Sequence, residues 1–180
     1  MLFKTEVTDI AIKKVKSQIA NMMTLCNLFL GGFSIIFTIQ GQLRYSTLLI
    51  FVAALLDRFD GMVARKLKIE SELGKQLDSM GDIISFGVAP ALLLYQGIIN
   101  IFSIPGIFFT VFYIGCGAFR LARFNITESN GYFHGLPITA AGCILTLCYL
   151  GNEIISTSFY LFLIIILSFF MISPLKIKKV

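Results

Sequence analysis

Charge is scarce in this chain. Of its 180 residues only 14% are charged, ten are acidic and one is histidine, whereas 57% are hydrophobic and the mean hydropathy is +0.86. These proportions exclude an ordinary soluble domain and point to a polytopic membrane protein. Thiolate metal chemistry also lacks support: Cys26, Cys116, Cys143 and Cys148 all fall in apolar stretches with no Cys-x-x-Cys pair, and read as small packing residues. The first twenty residues are polar and basic, without an apolar run ending at a small-residue cleavage site, so the first apolar segment is expected to double as the insertion signal. Repeats, low-complexity tracts and linkers are missing too. An all-α fold in one compact membrane domain is the expectation.

What is present falls into spans. With about 20 apolar residues needed to cross a bilayer, the sequence divides into six segments near 22–39, 45–64, 78–102, 104–124, 136–150 and 154–174, with Pro90 expected to kink the third. Ahead of them, Lys4, Lys13, Lys14 and Lys16 alternate with Ile12, Val15 and Ile19 at helical spacing. That pattern fits either an amphipathic helix lying in the interface or a positive flank that orients the first span. Six spans place both termini on one side, and fourteen of the fifteen Lys and Arg residues then share it, with only Arg44 opposite. By the positive-inside rule that side is the cytoplasm. The net charge of +5 follows from topology, and nucleic acid is not an expected partner. The expected division is therefore a cytoplasmic segment 1–20, a membrane domain 21–175 and a basic cytoplasmic tail 176–180.

Four aspartates, in a chain with only ten acids, lie from Asp57 to Asp82. Asp57 and Asp60 are three apart and Asp78 and Asp82 four apart, so each pair occupies one helix face. A hairpin through residues 68–73 lets the pairs converge. Four carboxylates brought together repel strongly unless cations neutralise them, and an all-oxygen donor set suits Mg²⁺ or Mn²⁺, with ligands enough for two ions. Gly61, Ala64 and Gly74 leave room beside such a centre, and Arg65, Lys66 and Lys75 supply charge for a phosphorylated group, so the stretch reads as a diphosphate site. The plainer alternative has the aspartates paired with Arg58, Arg65 and Lys75 as staples between helices. Against it, ionisable residues at membrane depth are costly and usually functional. A cation transporter is a further alternative, although its acids should line a path across the membrane, and only Glu153 is expected on the far side.

Asp57-x-x-Asp60-Gly61-x-x-Ala64-Arg65, eight further residues, then Gly74-x-x-x-Asp78-x-x-x-Asp82 resembles the complete signature of the CDP-alcohol phosphotransferases. The resemblance implies a six-helix membrane fold, often a homodimer, that transfers a phosphatidyl-type group from a CDP-linked lipid to an alcohol and releases CMP. It implies that Asp57, Asp60, Asp78 and Asp82 ligate two divalent cations, with Asp82 also the base. Gly61, Ala64, Arg65, Ser71 and Gly74 would line the CDP site, and Thr24 and Asn27 resemble family positions near the nucleotide. As polar residues at the start of a span they also suit simple helix capping.

The acceptor is read elsewhere. Phe119-Arg120-Leu121-Ala122-Arg123-Phe124-Asn125 and Phe133-His134-Gly135-Leu136-Pro137 resemble the phosphatidylserine synthase branch of that family. Arg120 and Arg123 share a helix face at its cytoplasmic end, and a guanidinium binds a carboxylate bidentately. L-serine carries a carboxylate, but the phosphate of glycerol 3-phosphate or inositol phosphate would satisfy the same arginines, and snorkelling anchors would also place them there. Asn125 is expected either at the serine amine or as a helix cap. His134 reads as a loop or interface residue, and Gly135 with Pro137 as the turn into the fifth span.

Overall fold

A computed structural model describes residues 2–67, 72–126, 132–174 and 176–178, and within these the side chains of residues 2–17, 19, 20, 60, 63–67, 132–134 and 176–178 lie outside the description. Among the described residues there are six helices: α1 (Leu2–Ile39), α2 (Leu43–Leu67), α3 (Glu72–Gly97), α4 (Ile104–Ile126), α5 (Ile138–Leu150) and α6 (Thr157–Ile172). Two three-residue strands, β1 (Tyr132–His134) and β2 (Lys176–Lys178), pair antiparallel. The basic tail is thus tied to the connection between α4 and α5.

The backbone of α1 is one helix of 38 residues, about 57 Å at 1.5 Å per residue, so the basic N-terminal segment continues directly into the first apolar stretch. Within it, Asn21–Ile39 is long and apolar enough to span a bilayer, as are Glu72–Gly97 and Ile104–Ile126. α5 and α6 are apolar but shorter, 13 and 16 residues. The α1–α2 hairpin turns at Gly41, where φ is +75° and Cβ strain would penalise other residues. Buried hydroxyls close it: Ser34 and Ser46 Oγ are 2.8 Å apart, and Thr38 Oγ1 lies 2.7 Å from Ser46 Oγ. Polar clasps of this kind hold helices together where lipid removes the hydrophobic drive.

Helix α3 contains the main departure from the sequence reading. A π-helical segment, Ile83–Val88, follows Asp82 directly, ahead of the expected kink at Pro90. Pro90 has no N–H for the carbonyl one turn back, and the Tyr113 hydroxyl donates to that carbonyl, Phe86 O, at 3.2 Å. The widened turn is clasped from two sides. Gly142 of α5 approaches so closely that a Cβ there would meet Phe86 O at 2.6 Å, and a Cβ on Gly31 of α1 would strike the Ser85 side chain. Ser85 Oγ in turn donates to Asn27 O at 2.9 Å. Around this knot Phe86, Leu94, Tyr113, Ile138, Leu145, Tyr160 and Ile164 form the buried core. π-bulges concentrate at functional sites, and this one fixes the rotation of the helix that carries Asp78 and Asp82.

Candidate metal and diphosphate centre

Asp57 on α2 and Asp78 and Asp82 on α3 converge, with carboxylate oxygens all within 4.8 Å of one another. The i, i+4 spacing puts the latter two on one face, and the packing of α1 against both α2 and α3 brings that face to Asp57. Asp57 and Asp82 lie within hydrogen-bonding reach, and Asp57 also meets Thr139 in the first turn of α5. Asp82 is half-buried, and its Oδ1 is buried without a hydrogen-bond partner.

Among the described residues no Lys or Arg forms an ion pair with these aspartates. Among the described residues the only ion pair is Lys75–Glu72, exposed, at 3.1 Å. Arg120 of α4 does face Asp82 electrostatically; it is 7% exposed and its Nε is buried without a partner. Three hard oxygen donors on two helices, one with an unpartnered buried oxygen, fit a divalent cation better than a salt bridge. Mutual repulsion at this spacing also calls for a cation.

On the facing side of α3, Asn27 of α1 is fully buried, with both side-chain amide atoms unpartnered. Gly81 keeps the two helices close: a Cβ there would sit 3.7 Å from Asn27 Nδ2 and from Thr24 O. Thr24 is buried beside it. Gly61 borders open space, with nothing within 4 Å of where a Cβ would sit, and Gly74 is half-buried in the first turn of α3. The side chains of Asp60, Ala64 and Arg65, and all of Ser71, lie outside the described residues.

The expected acceptor residues separate. Arg120 stays with the aspartates. Arg123 instead donates to Ile172 O at 3.1 Å and Ser173 O at 3.4 Å, at the C-terminal end of α6. Asn125 Nδ2 donates to Ser79 Oγ at 2.9 Å, one residue from Asp78. Thr139, Ser79 and Ser85 were not singled out in the sequence. The signal for Thr139 was available, as a hydroxyl in the first turn of a largely apolar helix behind Pro137.

Comparison with known proteins decides the family. The profile of the CDP-alcohol phosphatidyltransferases matches residues 17–174. The chain belongs to that family. Among similar proteins is one named CDP-diacylglycerol--serine O-phosphatidyltransferase from Bacillus subtilis, 38% identical over 138 residues, covering 74% of this chain and 77% of that protein. One of the same name from Methanocaldococcus jannaschii is 37% identical over 94% of this chain and 77% of its own length. A protein named archaetidylserine synthase from Methanothermobacter thermautotrophicus is 37% identical over 93% of this chain and 73% of its own length. Membership of this family and three long apolar helices make the chain an integral membrane protein.

Proposed function

We propose that this protein transfers a phosphatidyl group from a CDP-linked lipid, CDP-diacylglycerol or an ether analogue, to the hydroxyl of L-serine, releasing CMP. The observation that carries the reading is Asp82, an acid with an unpartnered buried oxygen set against both the Asp57–Asp78 pair and the buried guanidinium of Arg120. The names of the similar proteins support serine as the acceptor.

In this reading Asp57, Asp60, Asp78 and Asp82 hold two divalent cations, Mg²⁺ or Mn²⁺. Bound there, such ions stabilise negative charge on the diphosphate oxygens. Thr24, Asn27, Gly61, Ala64, Arg65, Ser71 and Gly74 line the CDP pocket, with the buried Asn27 amide offering both a donor and an acceptor. Arg120 takes the serine carboxylate in a bidentate grip, and Asn125 and Ser79 border the amine. Asp82 accepts the hydroxyl proton as serine Oγ attacks the lipid-bearing phosphorus. The bond to the CMP oxygen breaks, and Arg65 receives the charge of the departing nucleotide.

The proposed setting is six membrane crossings with both termini and the aspartate cluster at the cytoplasmic surface. Residues 1–20 form the cytoplasmic segment, 21–175 the membrane domain and 176–180 the tail, and the protein acts as a homodimer. Lipid tails then stay in the bilayer while the headgroup meets soluble serine. The test is CMP release by purified protein given CDP-diacylglycerol, Mg²⁺ or Mn²⁺, and serine, glycerol 3-phosphate or inositol phosphate separately. Serine alone should support turnover. Turnover with a phosphorylated alcohol and none with serine would overturn the acceptor assignment.

A further inference from the structure

We propose that the C-terminal end of the chain is a latch that positions the acceptor side of the active centre, with Gly135 and Arg123 as its positioning residues. The inference rests on the function proposed above and concerns how the acceptor half of that site is held. A helix leaves its last carbonyls without partners inside the helix, and those of α6 are met from elsewhere in the chain. Phe170 O accepts from the Leu136 N–H at 3.0 Å, Ile172 O and Ser173 O accept from the Arg123 guanidinium, and Phe169 O accepts from the Ser173 N–H at 2.9 Å. Two of the three donors belong to α4 or to the segment entering α5.

The same segment is bound again one step further on. β2, the last described stretch of the chain, pairs with β1, His134 opposite Lys176 and Tyr132 opposite Lys178. Between the strand and α5 stands Gly135, with φ at +74°. A Cβ there would collide with Met171 O and lie 3.0 Å from Phe170 O and Ser173 O, so both backbone conformation and space demand glycine. Gly135 and Leu136 therefore sit flush on the end of α6.

The position matters because of what flanks the latched elements. Asn125, two residues beyond Arg123, binds Ser79 beside Asp78. Thr139, four residues beyond Gly135, meets Asp57. Arg120, one turn before Arg123, faces Asp82. Three side chains that border the aspartate cluster thus hang from two anchors on one helix end. The CDP-side residues Thr24 and Asn27 come from α1, which the latch does not touch. Loosening the latch should disturb the acceptor while sparing the CDP-lipid.

The experiment compares the wild-type protein with a chain ending at Pro174 and with Gly135→Ala, measuring KM for serine and for CDP-lipid, and residue-resolved amide exchange at Leu136. Neither variant removes a side chain assigned to serine. Both should accelerate Leu136 exchange and raise the serine KM by about tenfold, leaving the CDP-lipid KM within about twofold, since small displacements of positioning groups act on the reactant they position. Arg123→Lys should retain more of the serine affinity than Arg123→Gln. If the shortened chain does not fold, Gly135→Ala gives the same readout at full length. Faster exchange with an unchanged serine KM, or equal rises in both KM values, would overturn the latch. Should the wild-type protein use another alcohol, the proposed acceptor fails, and the same comparison made with that alcohol still decides the latch.

Discussion

Removing the guanidinium of Arg120 should weaken serine far more than the CDP-lipid. Arg120 is the one described basic side chain that is both buried and set against Asp82, and its Nε has no partner within the protein. It therefore holds donor capacity inside the site that the described residues do not use. A hydrogen bond to a charged partner contributes about 1.5–3 kcal/mol, and at about 1.4 kcal/mol per factor of ten its loss in Arg120→Gln should raise the serine KM about 10- to 150-fold. Arg120→Lys keeps the charge but not the planar fork, so it should fall between Gln and wild type. The assay is CMP release from CDP-diacylglycerol in mixed micelles with serine varied at saturating lipid, then the reverse. An unchanged serine KM in Arg120→Gln, or a CDP-lipid KM that rises as much as that of serine, would refute the assignment of the carboxylate to Arg120.

Asp82→Asn keeps the volume and removes both the negative charge and the proton acceptor, so CMP release should fall by about 10²- to 10⁴-fold even at saturating Mg²⁺, the range lost with a general base. Near-normal turnover would show that the base is elsewhere. Gly142→Ala pushes a methyl group onto Phe86 O and Phe86 Cα, at 2.6 and 2.9 Å, both backbone atoms that cannot swing away. Overpacking of this kind costs about 1–3 kcal/mol, read as a lower midpoint of thermal unfolding in detergent, and an unshifted midpoint would mean that α3 and α5 part easily.

Much of the site was legible because its signal is local. The spacing of Asp57, Asp60, Asp78 and Asp82 is a helical period, and the scarcity of acids elsewhere makes the cluster stand out. The structure brings three of them together as that spacing requires, and the side chain of Asp60 lies outside the described residues. The limits of the reading were non-local. Pro90 announces a disturbed helix, but nothing local to it says that the relief is a π-turn six residues wide with a tyrosine from another helix serving the freed carbonyl. Arg120 and Arg123 look equivalent by spacing, yet one faces Asp82 and the other the end of α6. That difference is set by where α6 stops, some fifty residues later in the chain. The tail residues 176–178 read only as orientation charge, since strand pairing of three residues leaves no period to detect.

The central claim is a serine hydroxyl attacking a CDP-linked lipid at the aspartate cluster. The direct measurement follows labelled serine into a chloroform-soluble product, with CMP counted in parallel, for the wild-type protein and Asp82→Asn in vesicles containing CDP-diacylglycerol and Mg²⁺. The account predicts one labelled lipid formed per CMP released by the wild type and both products lowered by at least about 100-fold in the variant. CMP release without label in the lipid, or equal labelling by both proteins, would contradict it.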